Sequence, residues 1–275
     1  MKFLSLATIC TMILSVHPVR AALSSTGFLS SLKESPLDLT YGAMGITSRD
    51  RSNSKIDGMY LYHDFYLSYK LTDRDTLRMM PEIITPYGDS ARMDGNSTGY
   101  SGTEFYYKRS ALMNQDAHGV DLMFQQRYFM NKDDTKTRGT ASTRFYINRK
   151  MSNSFSLDGI VRYDMFNNSS DWTPGDDKTK NRKERRLRLY VSPTWTLSDK
   201  LSTALSFVYS NAQNEDKTQG EDLQLVPQVS YKLGDQSLGM AAYVPATKGG
   251  DGKSGLVEDI ADQITYELSY TLSVF

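Results

Sequence analysis

Arginine recurs in the middle of the chain, within stretches that are otherwise rich in apolar and hydroxyl side chains. The residues concerned are Arg127, Arg144, Arg162 and Arg188, with Lys108 preceding them. A guanidinium group grips a carboxylate through two parallel hydrogen bonds and stays charged at physiological pH. If these side chains lie beside one another, they form a basic wall that attracts anionic groups.

Carboxylates and tyrosines form two further sets in similar stretches. The acidic set comprises Asp64, Glu82, Glu104 and Glu267. The aromatic set comprises Tyr60, Tyr62, Tyr66, Tyr106, Tyr146 and Tyr190. A tyrosine ring offers a flat apolar face that can stack on a sugar ring, and its hydroxyl remains solvated. A basic wall facing an acidic wall would create a transverse electric field in the space between them.

The sequence offers little for covalent catalysis or for metal binding. A nucleophilic serine needs a general base beside it, and the only histidines after residue 21 are His63 and His118. Neither is followed two residues later by serine. The oxygen-rich stretches 94–99 and 249–255 lack the spaced carboxylates of a calcium loop. We therefore expect no enzyme, no cofactor and no metal site.

β-Strands must position these residues, because apolar and polar side chains alternate along most of the chain after Pro36. In 59–71, for example, Leu61, Phe65 and Leu67 share one face. The pattern predicts twelve strands, at 37–47, 59–72, 76–86, 103–113, 120–130, 140–151, 155–166, 186–197, 201–210, 222–233, 237–245 and 262–275. Most are about 10–12 residues long, which suits a tilted strand that crosses a bilayer.

The connections between the predicted strands alternate in length. Short turns are expected at 72–75, 114–119, 152–154, 198–200 and 234–236. Long polar loops are expected at 48–58, 87–102, 131–139, 167–185, 211–221 and 246–261. Outer-membrane barrels have short periplasmic turns and long extracellular loops, and they close because lipid cannot satisfy a free sheet edge. The sequence therefore predicts an all-β, antiparallel, up-and-down transmembrane barrel, with the basic, acidic and aromatic sets on its inner face.

Both ends of the chain fit export to the outer membrane. Residues 1–21 carry Lys2, an apolar run and small residues before Ala22, which are the features of a cleaved signal peptide. Residues 22–36 would follow as a periplasmic helix, a plug or a disordered segment, and 37–275 would form the barrel. Phe275 resembles the terminal aromatic residue that the barrel-assembly machinery reads in outer-membrane proteins.

The composition narrows the choice of partners. The chain has 275 residues with 32 basic and 32 acidic side chains, so non-specific binding to nucleic acid is disfavoured. The single cysteine lies within the predicted signal peptide, so the mature chain would have no disulfide. A barrel in the outer membrane would contact lipid and lipopolysaccharide.

The sequence resembles the small monomeric porins of the oligogalacturonate-specific type. The features in common are the signal peptide, about twelve strands, the terminal phenylalanine and the arginine-bearing strands. Residues 185–207, RRLRLYVSPTWTLSDKLSTALSF, are similar in layout to a hairpin of that family. The resemblance covers about residues 37–275. It implies a passive channel for small hydrophilic solutes, acidic oligosaccharides among them, that follow the track of the four arginines.

Two other functions fit the same strands. If the inner charges paired across the interior, the barrel would be closed, and it would act structurally or as an adhesin. Its partners or lipopolysaccharide would then bind extracellular loops such as 167–185, with Trp172 and the basic run KNRKERR. A soluble periplasmic β-protein is the third possibility, which heat-modifiable migration on a gel would exclude. A monomer and a trimer both fit the sequence.

Overall fold

The computed structural model describes residues 36–49, 56–87, 98–132, 137–168, 182–250, 253–256 and 263–273. The predicted signal peptide, most of 22–36 and Phe275 lie outside these residues, so the domain boundaries and the role of Phe275 stay predictions. No helix in the described ranges is long and apolar enough to cross a membrane.

The described residues form β-strands almost throughout. The strands are β1 (Leu37–Arg49), β2 (Ile56–Lys70), β3 (Asp75–Tyr87), β4 (Gly99–Met113), β5 (Asp121–Asn131), β6 (Thr137–Lys150), β7 (Phe155–Asn168), β8 (Lys183–Thr196), β9 (Leu201–Asn214), β10 (Gln219–Leu233), β11 (Gln236–Gly250), β12 (Lys253–Leu256) and β13 (Thr265–Ser273). A short helix, α1 (Gln115–His118), lies in a predicted turn. It is capped by the side chain of Asn114 and ends at Gly119, whose φ of 77° favours glycine.

The strands close into a barrel. Neighbours in sequence from β1 to β11 pair antiparallel, and β1 pairs with β13. One edge of β11 holds β13 along its first half and β12 along its last residues. Since β12 and β13 share that edge, the thirteen strands occupy twelve positions around the barrel. This confirms the predicted antiparallel, closed, all-β fold with about twelve strands.

The strands reach beyond several predicted boundaries, and two loop predictions are wrong. The predicted loop 211–221 is only a four-residue turn between β9 and β10. Part of 246–261 forms the β11–β12 hairpin, and β8 begins three residues before its predicted start, at Lys183. Polar side chains hold such extensions together, as Asn211 and Tyr209 do by donating to Glu221. A strand segment that extends beyond the membrane needs no apolar face. The alternation of apolar and polar residues therefore does not predict such a segment.

On β2 to β10 one face of each strand is apolar and largely exposed, whereas the same face of β13 is apolar but buried. Leu67, Met79, Phe105 and Tyr128 follow one another as register partners on β2 to β5 and are 37–43% exposed. Similar exposed residues continue on β7 to β10, such as Val191. A continuous apolar band around a closed barrel is stable only where lipid solvates it. The barrel therefore spans a membrane, with this face outward.

Three prolines lie on the outer face inside strands: Pro81, Pro193 and Pro227. Each proline is unpaired with the strand on one side: Pro81 interrupts the β2–β3 ladder, Pro193 the β8–β9 ladder and Pro227 the β10–β11 ladder. Each remains in register with the strand on its other side. Proline lacks the N–H that a ladder needs. The sequence pattern placed these residues on the right face but could not show which ladder breaks.

Replacing Gly102 by alanine should destabilise the barrel by about 1–3 kcal/mol. A Cβ atom there would lie 2.3 Å from the Met130 carbonyl oxygen and 2.7 Å from the Phe129 ring. Gly99 on the same strand is the matched control, because a Cβ atom there meets nothing within 4 Å. Urea unfolding of the protein in lipid vesicles measures both variants. An equal loss of stability in the two would contradict this packing.

Candidate functional site

The barrel interior carries a row of basic and amide side chains across five consecutive strands. Lys108 lies opposite Gln125, Gln125 opposite Arg144, Arg144 opposite Arg162, and Arg162 opposite Arg188. These residues alternate with the exposed apolar ones, so they lie on the inner face. Arg127 lies on the same face of β5, two residues from Gln125. The structure therefore brings together all five basic residues that the sequence singled out.

A buried carboxylate joins the arginines of β7 and β8. Asp164 has no exposed surface, and it lies 2.7 Å from Arg162, 3.0 Å from Arg186 and 3.5 Å from Arg188, measured between carboxylate oxygen and guanidinium nitrogen. Three guanidinium groups compensate the desolvation of one carboxylate. Sequence reasoning missed Asp164 and Arg186, although each lies two residues from a predicted inner arginine and so shares its face.

Arg127 connects the basic and acidic sets. Its guanidinium lies 2.7 Å from Glu104 and stacks over the Tyr106 ring at 4.6 Å from the ring centre. It also donates from Nε to Gln125 at 2.8 Å. The charge of Arg127 is therefore neutralised, and the two walls meet between β4 and β5.

Arg144 differs from the other arginines of the row. It donates from Nε to the hydroxyl of Ser142 at 3.1 Å, and it has no carboxylate partner among the described residues. Arg127 and Arg162 lie on the neighbouring strands. Arg144 thus contributes a positive charge that the described wall does not compensate.

The acidic set divides into two groups. Asp64 and Glu82 are register partners on β2 and β3, and Glu104 lies on the next strand, β4. Asp64 is only 8% exposed and accepts a hydrogen bond from the Tyr66 hydroxyl at 3.0 Å. Glu267 lies apart, on β13, where the Tyr243 hydroxyl donates to it at 2.6 Å.

A further arginine lies beside the acidic group and was missed by the sequence analysis. Arg78 stacks over the rings of Tyr66 and Tyr106, at 5.1 and 5.0 Å from their centres. Its Nε donates to the Ser68 hydroxyl at 2.7 Å. Arg78 lies four residues before Glu82 on β3. The two-residue period of a strand therefore places both side chains on the same face, and this signal could have identified Arg78.

The six predicted tyrosines all lie on the inner face. Tyr60, Tyr62 and Tyr66 line β2, and the other three lie singly on β4, β6 and β8. Tyr146 and Tyr190 accept hydrogen bonds from Arg127 and Arg188, at 3.4 and 3.2 Å. Aromatic and basic side chains are therefore interleaved along one wall.

The ion pairs of the inner face run along the wall. Those of Arg127 and of Asp164 join residues of the same or adjacent strands, and no pair between opposite walls occurs within the described ranges. A cavity of about 640 Å³ lies at the short-turn end, lined by Lys200, Lys232, Asp199, Asp235 and several serines. The described charges thus do not close the barrel by pairing across it.

The two histidines in the described part of the chain have local partners. His118 in α1 is exposed, and its Nδ1 lies 3.3 Å from the Asn114 carbonyl oxygen. His63 faces outward, and its Nδ1 lies 2.8 Å from the Tyr41 hydroxyl. This contact satisfies a polar ring on the lipid side of the barrel. In the described part of the chain, no group of three or more histidine, cysteine or acidic residues is arranged to hold a metal.

Replacing Tyr41 by phenylalanine should destabilise the barrel by about 1 kcal/mol, because it leaves the His63 ring nitrogen without its partner. Tyr231→Phe is the control, since Tyr231 also faces outward and no described residue bonds to its hydroxyl. The midpoint of urea unfolding in vesicles reports both changes. A loss no larger for Tyr41→Phe than for the control would contradict the contact.

The fold matches solved barrels of bacterial outer membranes. An outer-membrane channel of Pseudomonas putida F1 superposes with a TM-score of 0.59 at 12% identity, over 86% of this chain and 96% of that one. The KdgM and NanC porins match more loosely, with TM-scores of 0.48 and 0.49 at 10% identity, over 86% of this chain and 98% of theirs. The sequence matches no family model and no curated protein. The chain has the barrel fold of a small outer-membrane channel, as the sequence predicted.

Proposed function

We propose that the protein is an outer-membrane channel through which small hydrophilic solutes diffuse passively, and that its basic wall favours anionic ones. The observation that carries the proposal is the row from Lys108 to Arg188, with Arg144 uncompensated, on the inner face of a barrel whose outer face is apolar. Fixed charges along a narrow aqueous path select among ions.

Acidic oligosaccharides fit this wall chemically. Their carboxylates would bind Arg144 and the neighbouring guanidinium groups in a bidentate manner, and their rings would stack on tyrosines such as Tyr146 and Tyr190. The acidic residues of β2 to β4 would repel the same carboxylates and hold the solute against the arginines.

A filled barrel is the second candidate, and one observation favours it. Several inner side chains are nearly inaccessible, including Val226 at 1% and Gln125 at 5% exposed. A barrel that is packed inside would serve as a structural or adhesive protein, with extracellular loops that bind partners or lipopolysaccharide.

Single-channel recording in a planar bilayer separates the two candidates. Heat-modifiable migration on a gel first establishes that the refolded protein is a barrel. We expect steady openings, and we expect digalacturonate to reduce the current more than neutral maltose does. Folded protein that passes no current would contradict the channel and support the filled barrel.

A further inference from the structure

We infer that the inner face of β2 and β3 binds the cationic group of a solute, so that the preferred solutes carry a cationic and an anionic group together. This inference rests on the proposed channel function. It narrows the solutes from anions in general to small zwitterions that contact both walls.

Two carboxylates of this face form no ion pair with any cation among the described residues. Asp64 and Glu82 lie directly opposite each other on adjacent strands. The Oδ1 atom of Asp64 is buried and has no hydrogen-bond donor, although Oδ2 accepts from Tyr66. Among the described residues, Glu82 accepts a side-chain hydrogen bond from the Ser101 hydroxyl alone. A buried carboxylate oxygen without a donor is costly, and a cationic group of a solute would supply the missing donor.

The arginines nearest to this pair are engaged elsewhere. Arg78 lies over the rings of Tyr66 and Tyr106 and donates to Ser68. Arg127 is paired with Glu104. Neither forms an ion pair with Asp64 or Glu82, so the negative charge of this pair is available to a solute.

An organic ammonium group fits the pair better than a metal ion does. The described residues hold no set of three or more ligands arranged for a metal. An ammonium group offers three donors, which suit two carboxylates, and tyrosine rings attract a cation that lies over their faces. Tyr62 and Tyr66 flank Asp64 on the inner face of β2.

The basic wall offers the complementary position. Arg144 lacks a carboxylate among the described residues, and it lies on β6, four strands from β2 in a barrel of twelve positions. The neutral Glu104–Arg127 pair lies between the two sites. A zwitterion that moves along the interior would therefore meet Asp64 and Glu82 with its ammonium group and Arg144 with its carboxylate in turn.

The rate at which proteoliposomes swell measures the entry of a solute and tests the preference for zwitterions. Two isomers are compared: 4-aminobutanoate, which is a zwitterion, and 4-hydroxybutanamide, which is neutral. We expect 4-aminobutanoate to enter about fivefold faster, the factor expected from one ion pair in a wet interior. The double variant Asp64→Asn, Glu82→Gln should remove this advantage. Asp158→Asn should keep it, because Asp158 is an inner carboxylate on β7 that bonds to Asn148 and Thr194.

The outcomes distinguish this inference from the channel itself. Equal entry of the two isomers into vesicles with wild-type protein, or an advantage that survives in the double variant, would overturn the zwitterion site. Potassium chloride conductance of the same preparation would then still support the channel. Folded wild-type protein without any conductance would overturn both.

Discussion

Asp164→Asn should lower the stability of the barrel by about 3–5 kcal/mol, the usual cost of removing one partner from a buried charge network. Asp164 has no exposed surface and contacts Arg162, Arg186 and Arg188. Asparagine keeps the shape of the side chain but removes its charge. The three guanidinium groups would then repel one another without a compensating carboxylate.

Urea unfolding in lipid vesicles measures this loss, and a lower temperature of heat-modified migration should accompany it. Asp158→Asn is the matched control. The Asp158 carboxylate lies on the same strand and face as Asp164, but its described hydrogen-bond donors are all neutral. We expect the control to lose about 1 kcal/mol. Similar losses in both variants would show that the arginine cluster does not depend on Asp164.

Arg144→Glu should lower the chloride-to-potassium permeability ratio by at least about tenfold. The substitution replaces an uncompensated positive charge by a negative one, and each charge contributes about 1 kcal/mol to an ion at contact distance in water. The expected change is large because no described carboxylate neutralises Arg144. Arg162→Glu would be a poorer test, because it places a second carboxylate beside the buried Asp164 and so destabilises the barrel.

Arg185→Glu is the control for selectivity. Arg185 lies on β8, near Arg188, but faces outward and donates to Gln213. The same change of charge there should leave the permeability ratio nearly unaltered. A shift as large as that of Arg144→Glu would mean that selectivity follows the overall charge of the protein rather than the inner wall.

The sequence predicted the faces of the strands well, because side chains along a strand alternate with a period of two residues. That period placed Arg144, Arg162 and Arg188 inward and Val191 outward without any knowledge of pairing. It would equally have placed Arg78, Asp164 and Arg186, had every inner position been counted.

Contacts between strands could not be predicted, because they depend on register. The three arginines around Asp164 meet only because β7 and β8 pair Arg162 with Arg188. In the same way, His63 meets Tyr41 because β1 and β2 pair Ala43 with His63, which brings the two rings together on the outer face. A change of register by two residues would preserve the alternation and destroy both contacts.

The zero-current potential of the refolded wild-type protein in a potassium chloride gradient measures the effect of the basic inner wall on passing ions. We expect steady conductance with a chloride-to-potassium permeability ratio above one, because the inner wall from Lys108 to Arg188 carries uncompensated positive charge. A ratio below one, or folded protein that passes no current, would contradict it.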